Sequence, residues 1–256
     1  MINQAEIREL LNQKYRQYAS FGFIDTDPIQ IPKAYTRKED IEISGFLAAT
    51  ISWGQRPQII KSARQLLSHM GESPYEFITD ASESEIKSAS EFYYRTFNQT
   101  DCLAYLHSLK RIYTHFGGLH KVFADGFSKE QGAIGAIAHF REVFVGSSFP
   151  SRSVKHLPNV LKGSAAKRLN MFLRWMIRPK TEGVDFGLWP NISPTLLMLP
   201  LDVHSSRAAR NLGLLKRKQT DWKAVEEVTA NLRIFDPTDP VKFDYALFGL
   251  GVFEKF

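Results

Sequence analysis

Cysteine is almost absent: Cys102 stands alone among 256 residues, so no internal disulfide can form. Long apolar runs are missing as well. The greasiest stretch, Leu196 to Leu201, contains Pro200 and stops at Asp202, well short of the roughly 20 residues needed to cross a bilayer. The opening Met1-Ile2-Asn3-Gln4-Ala5-Glu6 lacks the basic-then-apolar pattern of a secretory signal. A reduced, cytoplasmic monomer is expected. The seven histidines are scattered, and His204, two residues after Asp202, is the nearest approach to a ligand pair. No metal or other cofactor is expected.

Acid is the other shortage, and it is local. The formal charge is 33 − 27 = +6, with a pI of about 9.3. From Val143 to Thr181, 39 residues, there is no Asp or Glu, while Arg152, Lys155, Lys162, Lys167, Arg168, Arg174, Arg178 and Lys180 give a local +8. A second acid-free run, Val203 to Thr220, adds Arg207, Arg210, Lys216, Arg217 and Lys218. Gly71 to Cys102 has the opposite bias, with seven acids against Lys87 and Arg95. Charge segregated in this way suggests a polyanion partner, the alternative being a solvated basic face.

What is present in quantity is helical pattern. With 43% apolar and 23% charged residues the chain can bury a core, and its apolar positions recur at helical spacing, predicting an all-α fold. Helices are expected near Gln4 to Ala19, from Arg37 after a Thr36/Glu39 capping box, and from Pro57 to Gly71. Others fit Asp101 to Phe116, Leu119 to Ala124, Glu130 to Val145, Ser164 to Ile177, Asp202 to Leu212, Trp222 to Phe235 and Pro240 to Val252. Ser147 to Gly163 reads as loop.

Two segments carry chemistry. In Leu157-Pro158-Asn159-Val160-Leu161-Lys162-Gly163-Ser164-Ala165-Ala166-Lys167-Arg168-Leu169, Ser164 as N-cap would place Lys167 in the first helical turn, where the dipole disfavours a cation. Such a lysine binds phosphate, acts as a nucleophile whose pKa Arg168, Lys162 and the dipole push down, or is merely solvated. In Pro200-Leu201-Asp202-Val203-His204, Asp202 opens a helix, as an ordinary N-cap or as a functional carboxylate.

Together, Lys167 after Leu157-Pro158, Pro200-Leu201-Asp202-Val203-His204 and the following Arg207-x-x-Arg210-x-Leu212-Gly213-Leu214 resemble the helix-hairpin-helix superfamily of DNA glycosylases. The spacing of 35 from Lys167 to Asp202 is most similar to the archaeal 8-oxoguanine glycosylase type. The chain also resembles a bacterial family of hypothetical proteins without assigned function. The glycosylase resemblance covers 43–256 of a single 1–256 unit, with a helical extension over 1–35, and implies two tightly packed helical lobes with the site in the cleft between them. It implies that Lys167 is the Schiff-base nucleophile and Asp202 the essential carboxylate.

Helical spacing and the resemblance together add Met171, one turn beyond Lys167, and Asp244 and Phe248, four apart, as a pocket for a flipped base. Asp244 would accept a purine N–H and Phe248 would stack, core packing and a simple ion pair being the alternatives. Ile51-Ser52-Trp53-Gly54-Gln55-Arg56 resembles the superfamily's wedge turn, which implies that Gln55 fills the gap left by the extruded nucleotide. Leu-Pro-Asn-Val replaces the usual Leu-Pro-Gly-Val-Gly, so Gly163 with Ser164 would take over the phosphate contact. Arg152, Lys155, Lys162, Arg168 and Arg207 complete the expected DNA contacts. With one cysteine, the iron–sulfur version of the fold is excluded. The expected function is a bifunctional DNA glycosylase and lyase excising an oxidised purine, 8-oxoguanine, from double-stranded DNA. The alternatives are a non-catalytic helical nucleic-acid-binding protein and an adaptor for an acidic protein partner.

Overall fold

In the computed structural model, which describes residues 3–130 and 132–256, the described chain is helical and carries no β-strand, only an isolated bridge between Tyr94 and Phe97. The α-helices are α1 (Gln4–Tyr18), α2 (Phe21–Ile24), α3 (Lys38–Thr50), α4 (Arg56–Ser68), α5 (Pro74–Asp80), α6 (Glu83–Ala89), α7 (Gln99–His115), α8 (Gly118–Glu130) and α9 (Ala133–Val145). They continue with α10 (Lys167–Ile177), α11 (Val203–Asn211), α12 (Trp222–Phe235) and α13 (Asp244–Val252), and short 3₁₀ turns fill several connections. None of the described helices is long and apolar enough to cross a membrane.

The chain divides into two compact units: a central one, Thr26–Asn159, and a terminal one formed by Met1–Asp25 with Val160–Phe256. The N-terminal helix, expected as an extension, thus belongs to the body of the terminal unit, where α1 packs on α13.

The central unit is built around rings. Phe46 on α3 meets Tyr105 on α7 and Phe140 and Phe144 on α9, and Phe123 on α8 stacks on Phe140 at 4.4 Å. Ile43, Phe46, Leu47 and Ile51 are buried as the apolar spacing predicts. The helix start differs from expectation: Arg37 is the N-cap of α3 and no side chain caps it, so the Thr36/Glu39 box does not form. Glu39 instead pairs with Arg37 at 3.5 Å. Capping boxes close α1, α6, α7 and α11 from Asn3, Ser82, Asn98 and Asp202. α5 and α6 have no counterpart among the expected helices, because seven-residue helices hold too few periods to stand out.

In the terminal unit, Phe172, Leu173, Trp175, Met176, Trp189, Tyr245, Ala246 and Leu247 are almost fully buried. Two glycines set how closely its helices approach α13. A Cβ at Gly249 would lie 2.0 Å from Tyr18 Cδ2 of α1, and one at Gly251 would lie 2.5 Å from the His204 carbonyl oxygen of α11. The second obstacle is backbone and cannot rotate away. Gly251→Ala is therefore expected to pry α11 from α13 at a cost of about 1–3 kcal/mol, read as a lower melting temperature.

Candidate functional site

The site is assembled from three helix starts in the terminal unit. α10 begins two residues later than its expected cap suggested: Ala166, not Ser164, is the N-cap, with φ +48° and ψ +34°, and no side chain caps the helix. Ser164 Oγ accepts from the Ala166 amide at 3.3 Å, a local turn that supports this left-handed residue. Gly163 precedes it at φ +85° with open space where a Cβ would stand, and its carbonyl accepts from the Trp222 amide at 3.0 Å. Lys167 is thereby the first helical residue, half-buried, at the positive end of α10. Its Nζ lies 3.5 Å from Sδ of Met171, which is buried one turn on. The amine thus has a soft, uncharged neighbour and forms no ion pair with Asp202.

Asp202 is the N-cap of α11, as its place after an apolar run predicts. Its Oδ1 accepts from the amides of His204 and Ser205, both at 2.9 Å, and from Ser205 Oγ at 3.1 Å. Its Oδ2 accepts no hydrogen bond among the described residues. The cap therefore fixes one oxygen and leaves the other for a further partner.

Asp244 opens α13 and is buried. Its Oδ2 pairs with Nη1 of Arg174, one helical turn beyond Met171 on α10, and its Oδ1 accepts no hydrogen bond among the described residues. Burial pushes its carboxyl up to about 6; Arg174 and Lys167 oppose that rise and Asp202 adds to it. Lys167 and Asp202 thus act on the same carboxylate from α10 and α11. Phe248, one turn along α13, is half-buried and meets Phe23 and Phe253 edge-on at 6.0 and 6.3 Å.

The acid-free runs do not map onto one basic surface. Arg174 and Arg178, 3% and 2% exposed, lie in the core, where Asp185, Asp239 and Asp244 balance them. Arg207, expected at a phosphate, donates instead to the main-chain carbonyls of Gly251 and Phe256 at the end of α13. Arg210 donates to the carbonyls of Arg217 and Lys218, and Arg217 pairs with Asp221. Lys162 is exposed and Arg168 half-buried at the start of α10.

In the central unit, Gln55 is an exposed N-cap of α4 without a capping bond, following the Trp53-Gly54 turn in which Trp53 packs on Tyr94 and His156. Arg152 pairs with the fully buried Asp101 at 3.0 Å, and Lys155 is exposed. Among the described residues no three His, Cys, Asp or Glu side chains gather where they could hold a metal ion.

The residues missed by sequence reasoning are Arg174 and the groups behind it. A signal existed, since Arg174 interrupts Phe172-Leu173 and Trp175-Met176, and an arginine embedded in an apolar run is buried only when paired. The family described as "Protein of unknown function (DUF2400)" matches residues 27–253. No curated protein and no solved structure matches the chain.

Proposed function

The chain belongs to the DUF2400 family, and for it we propose a bifunctional DNA glycosylase and lyase, of helix-hairpin-helix type, that excises an oxidised purine, 8-oxoguanine, from double-stranded DNA. The observation that carries this reading is that Lys167 at the start of α10 and Asp202 at the start of α11, 35 residues apart in the chain, both act electrostatically on one buried carboxylate, Asp244. An amine beside a thioether and a capped aspartate with one oxygen to spare are the two groups that cleavage of an N-glycosidic bond requires.

The chemistry follows from charge. As the bond between the sugar C1′ and the base nitrogen lengthens, positive charge grows on the sugar, and the ionised Asp202 stabilises it. Lys167 Nζ, as the neutral amine, attacks C1′, and the base departs with the bonding pair and takes up a proton. Loss of a proton from the new amine and opening of the sugar ring give a Schiff base between Lys167 and C1′. Removal of a C2′ proton then expels the 3′-phosphate and cuts the strand. In the same reading Asp244 and Phe248 hold the flipped base and Met171 lines its pocket.

Lys162, Gly163, Ser164 and Arg168, at the uncapped positive end of α10, are the phosphate contacts of the terminal unit, and Lys155 adds one from the central unit. Arg152 and Arg207, already engaged within the protein, add little. With about three phosphates neutralised by Lys162, Arg168 and Lys155, affinity for duplex DNA is expected to fall roughly 40-fold between about 50 and 200 mM salt, measured by fluorescence anisotropy; salt-insensitive binding would count against these contacts.

The reading is tested by borohydride trapping on duplexes bearing 8-oxoguanine, an abasic site or no lesion. A covalent adduct on the first two supports it. Tight, salt-sensitive binding with no adduct on any duplex favours a non-catalytic nucleic-acid-binding protein, and failure to retain DNA at low salt leaves an acidic protein partner.

A further inference from the structure

Behind Asp244 lies a charge cluster that the excision chemistry does not use. Arg174 Nε donates to Asp185 at 3.3 Å, and its guanidinium lies over the Tyr245 ring at 4.3 Å. Asp185 also takes Nη1 of Arg178, whose Nε and Nη2 form a fork on Asp239 at 2.9 and 2.8 Å. Tyr15 Oη of α1 accepts from Arg178 Nη2 at 3.1 Å and closes the far side. Two arginines thus face three aspartates, all but Asp239 nearly inaccessible. Fully ionised, the cluster carries a net charge of −1 that only Asp239 shares appreciably with water, which is costly unless a proton or a donor from outside relieves it.

Of the three carboxylates, Asp244 is the one with an oxygen to which no described group donates. Asp185 is held by both arginines and Asp239 by the Arg178 fork, whereas Asp244 has one oxygen on Arg174 and the other without a hydrogen bond. The charged groups facing Asp244 are Arg174 and Lys167 from α10 and Asp202 from α11.

We propose that Arg174 is a positioning residue that turns Asp244 into a selective reader: held by Oδ2, ionised Asp244 offers Oδ1 to N7–H, the donor that 8-oxoguanine carries and guanine lacks, and protonated Asp244 rejects it. The proposal deepens the base-excision reading and rests on it. An N–H donor supplied by the base does for the surplus charge what a proton otherwise does, so base and proton compete for one site. Adding a proton to Asp244 makes Oδ1 a donor, which faces N7–H of 8-oxoguanine as a mismatch. With that carboxyl at about 6, preference for the lesion is lost as pH falls through this value.

The test uses the full chain carrying Lys167→Gln, so that binding is read without turnover; because Lys167 opposes the rise of the Asp244 carboxyl, its loss moves the midpoint somewhat above that of the native chain. The quantity is the ratio of dissociation constants for an undamaged and an 8-oxoguanine duplex between pH 5 and 8, which cancels the pH dependence of phosphate contacts. The ratio is expected to fall about tenfold from pH 7.5 to 5, the equivalent of one lost hydrogen bond. Adding Arg174→Lys keeps the charge but removes the bridge from Asp185 to Asp244, and is expected to shift the midpoint of that fall; an Arg174 that only props the fold lowers the melting temperature and leaves the midpoint in place. Should Arg174→Lys not fold, Asp244→Asn serves, because it leaves two arginines facing two aspartates.

With Asp244→Asn the ratio is expected to be low and flat with pH. The excess melting temperature of the parent over this variant should grow as pH falls through about 6, since a folded-state pKa raised above the unfolded value stabilises on the acid side. A lesion preference that is present but flat with pH in the parent, or unchanged in Asp244→Asn, overturns the proposal and leaves base excision standing. No lesion preference at any pH overturns both.

Discussion

Lys167→Gln is expected to abolish the borohydride-trapped adduct and to lower base excision by on the order of 10³-fold or more, as loss of a covalent nucleophile does. The substitution is a clean test because the fold has little stake in the amine. Lys167 is half-buried, makes no ion pair among the described residues, and holds its Nζ 3.5 Å from the Met171 thioether. It also sits at the positive end of α10, where removing a cation favours the helix. A stability change within about 0.5 kcal/mol is expected, so a lost adduct with unchanged melting identifies the nucleophile. An adduct that survives in Lys167→Gln would assign the imine to another amine and remove Lys167 from the mechanism.

Asp202→Asn should slow excision by about 10²–10³-fold, the size of effect seen when one group that stabilises developing charge is neutralised. Here too the geometry separates function from fold. Asparagine caps a helix about as well as aspartate, so the bonds from the His204 and Ser205 amides to Oδ1 persist while the charge on Oδ2 disappears. Asp202→Ala, by contrast, removes the cap as well and should cost about 1 kcal/mol. Full activity in Asp202→Asn would mean that Asp202 is a cap and nothing more. Because Asp202 helps to hold the Asp244 carboxyl up near 6, the same variant should also shift the pH at which lesion preference fades toward acid.

Legibility differed from element to element for physical reasons. α1, α4 and α12 could be read within a few residues because each carries a repeating apolar face with clear punctuation, such as Pro57 and Gly71 around α4. Asp202 was readable as a cap for the same reason. Ser164 misled: the residue type is right for an N-cap, but two further residues, one in the left-handed region, intervene before α10 starts. The capping box at Thr36 failed although its spacing is correct, since Glu39 pairs with Arg37 instead.

Composition, apolar period and motif spacing alone determined that the chain is helical, that it carries no long apolar span, that Lys167 and Asp202 stand at or near helix starts, and that Asp244 and Phe248 lie one turn apart on the last helix. These are local properties, set by each residue and its neighbours within a turn or two. Tertiary structure alone decided which charges are spent: that Arg174 and Arg178 are core groups, that Arg207 caps α13, and that Asp244 belongs to a cluster short of one positive charge. Ion pairs between residues as far apart as Arg174 and Asp244 depend on which helices meet. Only packing, with Gly249 and Gly251 admitting α1 and α11 against α13, brings them within reach.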